Sequence, residues 1–129
     1  MPLSYSLAKT PKGRAVARSI ASGEVSLEDA QTSTRDLGPG GRFHGMANLS
    51  VVGADASYSP ESRKLFATIT DVGGPFAIVV SSPATRVMLN FVIKAATLKA
   101  AAFGGPVAAH GVQFFKSEGE ALAWLDAQP

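Results

Sequence analysis

Phe76-Ala77-Ile78-Val79-Val80-Ser81-Ser82-Pro83-Ala84-Thr85-Arg86 passes from an unbroken apolar run, through a Ser-Ser-Pro break, into a helix predicted over roughly residues 84–102. Continuous apolarity over five residues implies burial on both faces, hence a central strand of a covered sheet. Helices must supply that cover, so the passage already indicates an α/β protein. Upstream, Ser59-Pro60-Glu61 has the signature of a helix start: serine at the cap, proline at the first helical position, then an acid. That helix carries Leu65, Phe66 and Ile69 and is expected to end near Gly73-Gly74. Residues 45–52 alternate, with Ala47, Leu49 and Val51 on one side and Met46, Asn48, Ser50 and Val52 on the other, as a strand does.

Further toward the N-terminus, Ser26-Leu27-Glu28-Asp29 begins a helix running to about Leu37, where Gly38-Pro39-Gly40-Gly41 ends it. Its expected apolar face is Leu27, Ala30, Thr34 and Leu37. Leu3, Tyr5 and Leu7 alternate with small residues, and residues 14–20 are β-compatible. With Lys9-Thr10-Pro11-Lys12-Gly13 between them, these runs read as an antiparallel hairpin. Downstream, Gly104-Gly105-Pro106 stops the long helix, and Val112, Phe114 and Phe115 mark a last strand. Ser117 and Glu120 have the spacing of a reciprocal capping box at the start of a closing helix with Ala121, Leu122, Trp124 and Leu125. The order β-β-α-β-α-β-α-β-α implies a mixed, mostly parallel sheet with crossover helices, in a single domain over residues 1–129.

Composition narrows the function classes. The 129 residues are 46% hydrophobic and 17% charged, a globular balance. A net charge of +2 creates no strong field toward nucleic acid or an anionic membrane. Without cysteine there is no disulfide scaffold, thiolate catalysis or sulfur-ligated zinc. No stretch reaches the roughly 18–20 apolar residues of a membrane span, and Met1-Pro2-Leu3-Ser4-Tyr5 lacks the features of a secretory signal. The expected setting is the cytoplasm.

Catalytic and cofactor motifs are missing. The two histidines, His44 and His110, stand alone at loop ends, and no G-x-S-x-G elbow presents a serine. Acids are scattered in capping and turn positions, so no metal or other cofactor is expected. Gly-Gly pairs at 40–41, 73–74 and 104–105 lack any phosphate-loop pattern and read as helix stops. A receiver domain has a similar element order, and Asp55 lies where its phospho-acceptor would. The required acidic pair is absent from Leu7-Ala8-Lys9-Thr10, however.

Two surfaces remain. On the long helix Arg86, Asn90, Lys94 and Thr97 form one polar stripe, with Met88, Val92, Ala95 and Ala96 opposite, facing the sheet. Val87, Leu89, Phe91 and Ile93 spread onto the flanks. They are either covered by neighbouring helices or form a contact patch for another protein or a second copy. In the loop before the Pro60 helix, Ser57, Tyr58 and Ser59 sit at or just before a helix N-terminus, where a phosphate could alter a partner contact, or Ser59 is simply the cap.

The element order, the Phe76–Arg86 passage and the ending Val112-Gln113-Phe114-Phe115-Lys116-Ser117-Glu118-Gly119-Glu120-Ala121-Leu122-Ala123-Trp124-Leu125 together resemble SpoIIAA-like proteins of the STAS group (sulfate transporter and anti-sigma factor antagonist). The resemblance implies a non-catalytic, bacterial, protein-binding domain of the signalling kind. Its phospho-switch motif, Asp-Ser-Ser-Gly, meets Asp55-Ala56-Ser57-Tyr58 here, so the acceptor serine is replaced and only Asp55 and Ser57 match. Ser57 or Ser59 is left as the substitute. The alternative is a small-molecule or lipid-binding domain of the same shape. Its pocket would lie at the strand C-terminal ends, with Ser57, Ser59, Ser81, Ser82, Arg86 and His110 as lining. An enzyme would instead require His44 or His110 beside a serine or aspartate.

Overall fold

Side-chain alternation builds the first hairpin. β1 (Leu3–Lys9) and β2 (Ala15–Ala21) pair antiparallel without a break, from Leu3 opposite Ala21 to Lys9 opposite Ala15. The Thr10 N–H closes the turn by donating to the Arg14 carbonyl at 2.9 Å, and Gly13 supplies the left-handed φ of +88° that the reversal requires. These elements belong to a computed structural model that describes residues 3–66, 74–103 and 112–128.

The chain then forms β3 (Glu24–Val25) and α1 (Leu27–Leu37). Ser26 Oγ accepts from the Asp29 N–H while Asp29 Oδ2 accepts from the Ser26 N–H at 3.0 Å, satisfying two backbone donors at once. The sequence places such a box at Ser117–Glu120. There only the serine half forms, its Oγ accepting from the Glu120 N–H. The apolar face of α1 also differs from expectation: Ala30 and Leu37 are buried, Leu27 is 40% exposed, and Ser33 is buried instead. A serine can face inward because its hydroxyl meets the Tyr5 hydroxyl at 2.6 Å.

β4 (Ala47–Val52), β5 (Ser57–Tyr58), α2 (Pro60–Phe66), β6 (Phe76–Val80), α3 (Pro83–Phe103), β7 (Val112–Phe115) and α4 (Glu118–Ala127) follow. The main sheet has the order β1-β2-β4-β6-β7, with β1 antiparallel and the rest parallel, while β3 and β5 pair in a separate two-stranded patch. The expected order of hairpin, then alternating helix and strand, therefore holds for the main sheet. Two-residue strands carry no period and escape sequence reading. Ile69, Gly73 and the Gly104-Gly105-Pro106 stop lie outside the described residues.

Helices cover both sheet faces. On one, Val16, Ala47, Leu49, Ala77 and Val79 meet Ala121 and Leu125 of α4, with Phe115 and Trp124 packed at its border, ring centroids 5.7 Å apart. Fully burying a leucine such as Leu125 contributes about 1.5–3 kcal/mol. On the other, Ala21, Val52, Ile78 and Val80 meet Val25, Ala56 and Leu89, and Ala17 meets Leu37 and Phe43 under α1. The Phe76–Val80 run is buried from both sides, as its continuous apolarity requires.

Candidate interaction surface

The carboxyl ends of the parallel strands β2, β4 and β6 lie side by side, and the loops leaving them form one end of the molecule. The loop after β4 is stitched to the turn after β2. The Gly53 N–H donates to the Ala21 carbonyl at 2.8 Å, the Ser57 N–H to Gly23 at 2.8 Å, and the Ser59 N–H to Val25 at 3.1 Å. Gly53 is needed for this approach, since a Cβ there would stand 2.9 Å from Asp55 Oδ1 and 3.0 Å from the Ala21 carbonyl oxygen.

Within this loop the three nominated residues take different roles. Asp55 Oδ2 accepts from the Gly23 N–H at 3.2 Å, so its carboxylate helps tie the two turns together. Ser59 caps α2: its Oγ accepts from the Ser62 N–H at 3.1 Å, and buried Ser62 returns a hydroxyl hydrogen bond to the Ser59 carbonyl at 2.8 Å. Ser57 is exposed, on β5, across from Glu24. Its neighbour Tyr58 turns inward onto Phe66, ring centroids 6.0 Å apart, and burial pushes its phenol up to about 12.

The α3 helix starts at the same end, from β6. Ser82 Oγ accepts from the Thr85 N–H, and Ser81 is exposed beside it. Arg86 is exposed with its guanidinium 5.5 Å from the Phe114 ring centroid. The helix is rolled relative to the expected wheel. Leu89, placed on a flank by the sequence, is buried in the core with Met88 packed beside it. Leu89 therefore leaves the interface set. Rolling it inward raises the opposite flank, and Val87 is 57% and Phe91 70% exposed, one helical turn apart. The Ile93 side chain lies outside the described residues.

His110 also lies outside them. The strand that follows it, β7, starts with Val112 opposite Phe76, at the amino end of β6, whereas Ser81 and Ser82 leave the carboxyl end. His44 stands before β4 and Asp55 after it, and six strand residues put roughly 20 Å between those positions, beyond direct hydrogen-bond reach. Among the described residues no group of three or more His, Asp and Glu side chains is placed to hold a metal ion. Nor is any helix among them long and apolar enough to cross a membrane.

A groove of about 440 Å³ lies at the β1 edge, lined mainly by Tyr5, Leu7, Ala15, Arg42, Phe43 and Met46. Among the described residues expected to line a pocket, Ser57, Ser59, Ser81, Ser82 and Arg86 do not border it. Leu7 is 73% exposed there, although its alternation with Leu3 and Tyr5 places it on the face expected to be half-buried. Two arginines likewise gave no sequence signal. Arg14 Nη1 donates to the Leu125 and Gln128 carbonyls, both at 2.8 Å, at the carboxyl end of α4, and Arg18 Nε donates to Glu118 Oε1 at 2.8 Å near its start. They are separated from α4 by about 100 residues of sequence, which local patterns do not bridge.

No family model matches the chain, and no curated protein matches it. Among solved structures it resembles an uncharacterized protein of the DUF3478 family with a SpoIIAA-like fold from Shewanella loihica PV-4. The TM-score is 0.53 and identity 15%, covering 95% of this chain and 93% of that one. The chain thus has a SpoIIAA-like fold, as its element order and closing helix implied.

Proposed function

We propose that residues 1–129 form one cytoplasmic, non-catalytic STAS-like domain that works by binding another protein, in the manner of anti-sigma factor antagonists. Its contact surface comprises the exposed flank of α3 and the adjoining loop 53–59. The observation that carries this reading is the exposure of Val87 and Phe91 together, a flank that the core does not use. Contiguous exposed apolar side chains rimmed by polar ones, here Arg86 and Asn90, favour an interface. Ser57 is the better switch position in the loop, because Ser59 is occupied as a helix cap. A phosphate on Ser57 would face Glu24 across the β3–β5 pair, and like-charge repulsion would loosen that pairing.

The test compares wild type with Phe91→Asp in a pull-down from lysate of the source organism, alongside thermal melts. A partner captured by wild type and lost by a variant with an unchanged melt is the expected result. Equal capture by both proteins, or unfolding of the variant, would defeat the reading.

A further inference from the structure

Among the described residues β1 is an edge strand, and its outer side carries a second surface, independent of α3. The Thr10–Arg14 hydrogen bond makes those two residues a bonded antiparallel pair. By the two-residue alternation of antiparallel ladders, Ala8, Ser6 and Ser4 then bond to β2. The N–H and C=O groups of Leu3, Tyr5, Leu7 and Lys9 point away from it, along the open edge of the sheet.

Natural sheets blunt such edges with proline, central charges, bulges or short length. The opposite edge strand, β7, is only four residues long. By contrast, β1 runs seven residues in unbroken register, without proline or bulge, its single charge at the last position and Leu7 73% exposed in the middle. We propose that β1 pairs antiparallel with β1 of a second copy about a twofold axis at Ser6, joining two five-stranded sheets into one.

The register follows from the strand itself. Placing Ser6 opposite Ser6 sets Tyr5 against Leu7 and Leu3 against Lys9, so every outward-facing backbone group of the strand finds a partner. Each exposed Leu7 then lies against the other copy's Tyr5, beside the groove formed with Phe43 and Met46. Charge favours the same arrangement. Antiparallel pairing sends the two Lys9 side chains to opposite ends, whereas parallel pairing would stack them. A heterologous strand would fit the edge but would not need this symmetry.

Serine at the axis makes the register testable, because the chain has no cysteine. Opposed residues of a non-hydrogen-bonded antiparallel pair have Cα atoms about 4.5 Å apart, within disulfide range. Ser6→Cys should therefore cross-link into a dimer on mild oxidation, while Ser4→Cys, offset from its own copy by four strand residues, should not. Light scattering on wild type should rise with concentration from 13.3 kDa toward twice that mass. Leu7→Lys should weaken this association about tenfold, by removing two symmetry-related Leu–Tyr contacts, and should leave the thermal melt unchanged at concentrations where wild type is monomeric. Phe91→Asp should not affect it. A wild type that stays monomeric at every concentration overturns the proposal. So does equal cross-linking of the two cysteine variants, or a dimer that Phe91→Asp dissolves and Leu7→Lys does not. In those cases the β1 edge is left to an extended segment of another protein, or to none.

Discussion

The two faces of the sheet are covered in different ways. Under α4 the contact is aliphatic: Leu49, Val79, Ala121 and Leu125 are buried with no polar side chain among them. The hydrogen bonds that hold the helix lie at its ends, on Arg14 and Arg18. Under α1, α2 and α3, by contrast, Ser19, Ser33, Asn48 and Ser62 are buried with Tyr5 and Tyr58 close by. One helix lying over three strands leaves a polar group only at the border, where buried Thr10 accepts the Arg14 N–H on its Oγ1 at 3.0 Å. Three helices meeting over one sheet bring capping serines and tyrosine hydroxyls inside, and each then needs a partner. The same crowding leaves α3 more apolar surface than it can bury.

If this contrast is right, the largest effect belongs to the aliphatic face. Leu125→Ala should lower stability by about 2–5 kcal/mol, measured as the shift in urea midpoint at constant slope, because a cavity is left in a dry contact.

The mixed face should announce itself through pH. The folded Tyr58 phenol, raised to about 12 from 10.0 by burial, prefers its neutral form. Its contribution is therefore complete below pH 10 and is lost as pH rises toward 12. On the order of 2 kcal/mol should disappear across that window. Urea melts of wild type and Tyr58→Phe should diverge there by that amount. Parallel curves would show that Tyr58 is not desolvated.

The smallest effects test the two ends of α4 against each other. Arg14→Ala, which strips two carbonyls of a charged donor, should cost about 1–2 kcal/mol. Arg18→Ala should stay within about 0.5 kcal/mol, because its ion pair with Glu118 is partly solvated, with side chains 26% and 42% exposed. Equal losses would mean that the amino end of α4 is held as firmly as its carboxyl end.

The architecture was readable from the chain because its signals are local. The Phe76–Val80 run, the Ser26 and Ser59 caps and the Gly13 turn each act within a few residues, and each stands where it was expected. The loop holding Asp55, Ser57 and Ser59 was readable for the same reason. Which of them is engaged was not, since that depends on the Gly23 amide, some thirty residues away in the chain.

Tertiary structure alone decided how α3 rolls, exposing Val87 and Phe91 and burying Leu89. A helix apolar on most sides has no preferred orientation until its neighbours choose one. It also decided that Leu7 stands exposed and that Arg14 and Arg18 secure α4. Periodicity reports which side chains share a face. Which faces meet depends on chain crossings about a hundred residues apart, where no sequence period reaches.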